Sequence, residues 1–281
     1  MRLTPRIHDR DVAGLTYVYP VVSRRSRGVS VGINLNPNNA CNWRCRYCQV
    51  PGLVFGKGPA IDLDLLRREL DQMLRLLVRG DYLERHVAPE LRRINDLAFS
   101  GNGEPTSSPQ FAAAVDVAAA AAAAYPELAA TKLVLITNGS LIHERTVQEG
   151  VARLARARGE MWFKLDSATE AGQLATNGSH LGVERTARNL ALAASLCPTW
   201  LQTIVFAVDG APPSEEEVRA WLALVAAVLA DGVALRGVHL YGLARPSHQP
   251  EAERLSPVAS AWFAVFAARI RWLGLEVQES P

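Results

Sequence analysis

The chain is short of cysteine: it has four among 281 residues, and three of them fall within eight positions. A disulfide framework is therefore disfavoured, since an odd cluster of three cannot pair fully. The residues Met1-Arg2-Leu3-Thr4-Pro5-Arg6 lead into no apolar segment of the export type, and no run of about 18 apolar residues occurs anywhere. The Ala-rich tract Ala112–Ala124 is interrupted by Asp116 and suits a surface helix. No membrane role is expected, and few thiols without an export signal point to a reducing cytoplasm. Charge of one sign is also missing. A net charge of +2 is too mild to demand nucleic acid as a partner and too mild to exclude it. No linker, internal repeat, or flavin or nicotinamide fingerprint interrupts the chain. With 49% apolar and 21% charged residues it has the composition of a globular protein. Its length is ample for a buried core, and the expected organisation is one domain: an extension over 1–28 and a core over 29–281.

What is present is concentrated in Cys41-Asn42-Trp43-Arg44-Cys45-Arg46-Tyr47-Cys48, which has the spacing C-x3-C-x2-C. Three thiolates on one short loop can occupy three corners of a [4Fe–4S] cube and leave the fourth iron without a protein ligand. An open iron is a place where a small molecule binds and reacts. The competing reading is zinc, whose structural sites are closed and four-coordinate. For that, Cys197 is remote in an Ala/Leu-rich stretch, where it reads as a small buried hydrophobe. None of the six histidines adjoins the loop in sequence.

Strand-like and helix-like runs alternate along the chain. Strands are expected at Val29–Leu35, Ile94–Ser100, Lys132–Asn138, Met161–Asp166, Trp200–Val208 and Val233–Tyr241. Helices are expected at Asp62–Leu77, from a Ser108 cap with Pro109 in the first turn to before Pro126, and at Glu144–Arg158 and Val183–Leu196. Two more are expected from a Ser214 cap to Leu229 and at Pro257–Leu273. Six β-α units imply a parallel sheet with helices outside. The strands are one-sided. Asp96, Ala98 and Ser100 oppose Leu97 and Phe99; Trp162, Lys164 and Asp166 oppose Phe163 and Leu165; His239 and Tyr241 oppose Val238 and Leu240. Strands of a doubly wound sheet would be apolar on both faces. This pattern favours an incomplete barrel, with a lumen and a C-terminal rim where the chemistry sits.

Directly after the second strand comes Ser100-Gly101-Asn102-Gly103-Glu104-Pro105-Thr106. Glycines there let the backbone turn sharply and approach a ligand, and Glu104 can accept hydrogen bonds from an amine. The cysteine loop and this motif together resemble the radical S-adenosylmethionine (SAM) superfamily. That superfamily uses Cx3CxΦC, here with Tyr47 as the aromatic, and a GGEP-type motif. Asn102 between the two glycines departs from the motif, leaving Gly103-Glu104-Pro105 as the matching core. The resemblance spans nearly the whole chain. It implies a partial (β/α)6 TIM-type barrel and one [4Fe–4S] cluster on Cys41, Cys45 and Cys48, with S-adenosyl-L-methionine on the open iron. Glu104, with the neighbouring backbone at Gly101, Asn102 and Gly103, would receive the amine of SAM. The backbone at Tyr47 and the segment near Leu243 would meet adenine. Asn138, Lys164 and Asp166 would approach SAM from the middle strands. Pro20–Arg25 and Leu240–Pro246 are similar to an uncharacterised branch annotated broadly as Fe–S oxidoreductases and related to the core of wyosine-tRNA synthases.

The implied activity is reductive cleavage of SAM to a 5′-deoxyadenosyl radical, which abstracts hydrogen from a substrate. The electron would come from an external donor, flavodoxin or ferredoxin. Lys164, Asp166, Gln202 and His239 are the candidate catalytic or substrate-binding residues, and Asp96 shares their lumen face. A small-molecule substrate is slightly favoured. A tRNA substrate would use Arg24, Arg25, Arg44 and Arg46 toward phosphates; a protein substrate would make the chain a glycyl-radical activase. With only Cys197 to spare, a second cluster of the wyosine-synthase kind is disfavoured. A non-enzymatic zinc- or cluster-binding scaffold remains the reading of a different class.

Overall fold

Strands that are apolar on one side must bury that side under helices, and here they do. The computed structural model describes residue 3, residues 14–23 and residues 28–281. One eight-stranded sheet runs in chain order: β1 (Val18–Ser23), β2 (Gly28–Ile33), β3 (Ile94–Phe99), β4 (Lys132–Thr137), β5 (Glu160–Lys164), β6 (Thr199–Val205), β7 (Leu235–Gly242) and β8 (Val277–Ser280). All neighbours are parallel except β1, which is antiparallel to β2. The sheet curls into a half-barrel whose first and last strands do not pair. The outer layer contains α1 (Leu63–Val78), α2 (Tyr82–His86), α3 (Phe111–Ala123), α4 (Arg145–Arg156), α5 (Glu170–Asn177), α6 (Val183–Leu196), α7 (Glu215–Ala230) and α8 (Ser260–Arg271). No described helix is long and apolar enough to cross a membrane.

The large core lies between sheet and helices, with Leu97, Phe99, Leu135, Phe163, Leu201 and Leu240 pointing outward into it. The alternate residues form a small separate cluster inside the curl: Ala98, Val134, Trp162 and Trp200. The face assignment expected from alternation is thus the one observed.

Two boundaries differ from expectation for a visible reason. Ser108 does not cap α3, because Glu104 first caps a short 3₁₀ turn at Pro105–Ser107 and the helix starts at Phe111. The single strand expected over Trp200–Val208 breaks after Val205, and Ala207–Val208 pairs instead with Leu255–Ser256. Two edge strands join the six expected ones. β8 is a short polar segment with little pattern of its own, aligned by the Val238 N–H bond to the Glu276 carbonyl (2.8 Å). β1 comes from the segment 1–28 and is seated by buried Glu69 of α1, whose carboxylate accepts from the backbone N–H of Thr16, Tyr17 and Val18. Ser214 caps α7 as expected, accepting from the Glu217 N–H at 3.2 Å.

Phe163 is fully buried between the sheet and its helices. Phe163→Ala is expected to cost about 3–5 kcal/mol, read as a lower urea midpoint at an unchanged slope.

Candidate active site

Parallel strands carry all their C-terminal ends to one rim, so the loops that follow them converge. After β2 the chain runs through Asn34-Leu35-Asn36-Pro37-Asn38-Asn39 into the cysteine loop. Ala40–Cys41 pairs with Val54–Phe55 and closes the loop at its base. Inside it a turn brings the Cys48 N–H to the Cys45 carbonyl (2.9 Å), and the Trp43 N–H points at Cys41 Sγ (3.5 Å). Two remote segments clamp the loop. The end of α5 offers the carbonyls of Asn177 and Thr176 to the N–H groups of Arg44 and Arg46 (2.8 and 3.0 Å), while Asn177 Nδ2 donates to Cys45 Sγ (3.3 Å). On the other side Ser247 Oγ donates to the carbonyls of Arg46 and Cys48, and the His248 N–H to that of Cys48. Burial pushes the Cys41 thiol up to about 12 and the Cys45 thiol up to about 11, the backbone bond from Trp43 easing the first slightly. Neutral thiols of this kind release protons when they bind metal.

The glycine-rich loop after β3 is stitched to the cysteine loop. Asn34 Oδ1 accepts from the N–H of Asn36 and of Asn102 (3.0 and 3.1 Å), and Asn102 Nδ2 donates to Asn39 Oδ1 (2.6 Å). Gly101 has φ +143°, and a Cβ at Gly103 would overlap the carbonyl oxygen of Ala40, the residue before Cys41. Glu104 is buried. Its Oε1 accepts from Thr106 N–H, Thr106 Oγ1 and Thr137 Oγ1, and its Oε2 from the Asn138 N–H (2.7 Å). Burial raises its pKa, and these hydrogen bonds work against the rise.

Both loops open onto one cavity of about 260 Å³. Cys41, Cys45, Cys48, Tyr47, Gly101–Glu104, Asn138, Lys164, Gln202 and Leu243 all line it. The structure therefore gathers most of the residues singled out in the sequence. Lys164 is set across the lumen: its Nζ lies 3.3 Å from the Tyr241 hydroxyl, 3.8 Å from Asp166 Oδ2 and 4.9 Å from the centre of the Tyr47 ring. Burial works against its charge, but Asp166, Tyr241 and Cys45 together outweigh it and the pKa is raised.

Three sequence candidates lie elsewhere. Asp166 does not line this cavity; it accepts from the Tyr47 hydroxyl, Asn177 Nδ2 (2.8 Å) and the Ile204 N–H (3.2 Å), and so braces the loop from behind. His239 lies beneath the cavity, its ring 4.3 Å from Trp162 and 4.7 Å from Trp200 between centroids. Asp96 is near the opposite end of the lumen with Ser30. Cys197 is buried in the helix-side core, apart from the other thiols. Among the described residues no three His, Cys, Asp or Glu side chains form a single-ion site. Arg24 and Arg25 lie outside the described residues. Sequence reasoning missed the asparagines: Asn34, Asn36, Asn39 and Asn177. The run Asn34–Asn39 before Cys41 was the visible signal for three of them; Asn177 had none.

Residues 35–222, two-thirds of the chain, match the Radical SAM superfamily. Two UPF0026 proteins, from Helicobacter pylori strains 26695 and J99, are each 27% identical over 133 residues. Those matches cover 47% of this chain and 37% of each relative, so the chain spans little more than a third of their length. A radical SAM methyltransferase from Sphaerobacter thermophilus superposes with a TM-score of 0.58 at 13% identity, over 90% of this chain and 66% of that one. The fold is thereby shared. An archaeal TYW1 structure superposes more loosely, at a TM-score of 0.42 and 13% identity over 76% and 64% of the two chains, below the level that carries a shared fold.

Gly103→Ala is expected to push Ala40 and Cys41 apart from the glycine loop at a cost of about 1–3 kcal/mol. Glu104→Gln places an amide donor against the Asn138 N–H or the Thr106 N–H, for a loss of about 1–3 kcal/mol in metal-free protein. Urea titration of both variants checks these values, and an unchanged midpoint for Glu104→Gln would show that its carboxylate does not hold the rim together.

Proposed function

The chain belongs to the Radical SAM superfamily, and from that premise we propose that Cys41, Cys45 and Cys48 hold one [4Fe–4S] cluster that takes S-adenosylmethionine. The observation that carries this reading is the cavity itself: three thiols of one loop share it with Gly103 and Glu104, and the fourth cysteine is buried elsewhere. The donor set fits. Three thiolates are the protein share of a cluster with one open iron, and the rim residues offer a cradle beside them. When bound, the cluster and SAM supply the one-electron reductive cleavage and hydrogen abstraction of the superfamily.

The chain's own residues position and shield. The Asn177 amide donates to the Cys45 sulfur, the type of outer contact that tunes a metal–thiolate centre. Glu104 Oε2 has one donor, the Asn138 N–H, and keeps acceptor capacity toward the cavity for the amine of SAM. The backbone at Gly101, Asn102 and Gly103 lines the same wall, and Tyr47 and Leu243 form the adenine side. Asn138 acts by positioning. Its Nδ2 donates to Asn42 Oδ1 and its Oδ1 accepts from Ser140, so it joins the third loop to the cysteine loop. Lys164 with Asp166 and Tyr241 forms a charge-compensated side of this cavity.

The electron comes from an external donor, flavodoxin or ferredoxin. The substrate is a small molecule, which would share the cavity with Gln202, Lys164 and Ile136. A tRNA substrate would instead meet Arg44, which is exposed beside partly buried Arg46; Arg24 and Arg25 lie outside the described residues.

Anaerobic reconstitution is expected to load about four irons and four sulfides per chain, and dithionite with SAM to yield 5′-deoxyadenosine. Cys41→Ser should lose both the cluster absorbance and the product. One zinc without iron, or full activity in Cys41→Ser, would overturn the assignment and favour the scaffold reading.

A further inference from the structure

Gln202 stands in the middle of β6, fully buried, and lines the cavity at a deeper level than the two loops of the rim. Its carbonyl belongs to the sheet, accepting from the Leu165 N–H at 3.1 Å. Its side-chain amide belongs to nothing: neither Nε2 nor Oε1 has a hydrogen-bond partner among the described residues. A buried primary amide without partners is a standing cost to a fold, and native interiors rarely carry one without a use. A leucine or methionine would fill the same space at no such cost.

The neighbours in register are already committed. Lys164, beside Gln202 on β5, is held by Tyr241 and Asp166. His239, beside it on β7, is stacked on Trp200 and meets Trp162 at a tilt. The amide therefore faces a floor bounded by the aliphatic side chains of Ile136 and Ile204 and by a lysine whose charge is compensated.

We propose that Gln202 recognises the substrate through a neutral group that presents a hydrogen-bond donor next to an acceptor, such as a carboxamide, lactam or ureido edge. The chemistry follows from the amide. It offers one N–H donor and one carbonyl acceptor side by side, so its complement is an acceptor beside a donor, in a site with no uncompensated charge to attract an ion. The inference rests on the radical SAM reading only in that the same cavity joins Gln202 to the three thiols. A site built around a buried amide rejects analogues that leave it unpaired, so Gln202 would set specificity more than rate.

The test uses the full chain, reconstituted and with SAM added, and the probes 2-pyrrolidinone and N-methyl-2-pyrrolidinone, titrated by saturation-transfer NMR. The two probes differ in the lactam donor, and one hydrogen bond corresponds to roughly tenfold in affinity. Wild type is expected to prefer 2-pyrrolidinone by about tenfold, and Q202M to lose that preference. Q202E, which keeps the shape and the acceptor but cannot donate when ionised, should keep the preference while binding both probes more weakly, and serves where Q202M does not fold. No lactam preference in wild type, a preference that survives in Q202M, or undiminished binding of both probes by Q202E would overturn the proposal. So would a melting temperature for Q202M several degrees below wild type, which would mark the amide as structural. Iron content and 5′-deoxyadenosine formation by wild type are measured alongside. Their failure with the lactam preference intact defeats the cluster reading alone; the reverse result defeats this proposal alone.

Discussion

The whole rim depends on one close approach: the backbone at Gly103 against the carbonyl oxygen of Ala40. No side chain fits between them, so the glycine loop after β3 and the cysteine loop after β2 behave as one body. Asn34 and Asn102 fasten that body with three hydrogen bonds, and Glu104 fastens it in turn to β4 through Thr137 and Asn138. Asn138 completes the circuit by reaching back to Asn42 in the cysteine loop. The thiols are thus placed by backbone contacts and amide side chains, while the apolar core lies on the other side of the sheet.

Charge is handled the same way, by local closure. Lys164 and Asp166 sit two residues apart on one strand end and compensate each other, with Tyr47 and Tyr241 sharing the contact. A lone buried lysine in this lumen would lose its charge, and a lone aspartate would be costly to bury. As a pair they form a wall that is polar yet nearly neutral. This explains how residues that look catalytic in isolation act here as supports for the loop.

Much of this was legible in the sequence, for reasons that can be stated. Thiol spacing and Gly103-Glu104-Pro105 are local signals, and a local signal survives without the fold. Alternation along a strand fixes which face a side chain joins, so Lys164, Gln202 and His239 were all correctly assigned to the lumen. Alternation does not fix the surroundings at each height. Gln202 and His239 are register partners, yet Trp162 and Trp200 close around the imidazole and leave the amide facing the cavity. The helix Val183–Leu196 was found at its observed limits, whereas the short α5 before it was not, although its last residue, Asn177, bonds Cys45. Hydrogen bonds between residues 132 apart leave no periodic trace in either segment.

The clamp on the cysteine loop has a consequence in time. Ser247 holds the carbonyls of Arg46 and Cys48 across 201 and 199 residues. Contacts of such separation form late, after the cost of closing the intervening chain has been met. During synthesis the three thiols emerge early, while the segment that fixes their loop is still about 200 residues from being made. A partly made chain therefore offers loose, reactive thiols without the pocket that orders them. A cluster of the kind proposed would find its loop held in place only once the segment around Ser247 has joined it.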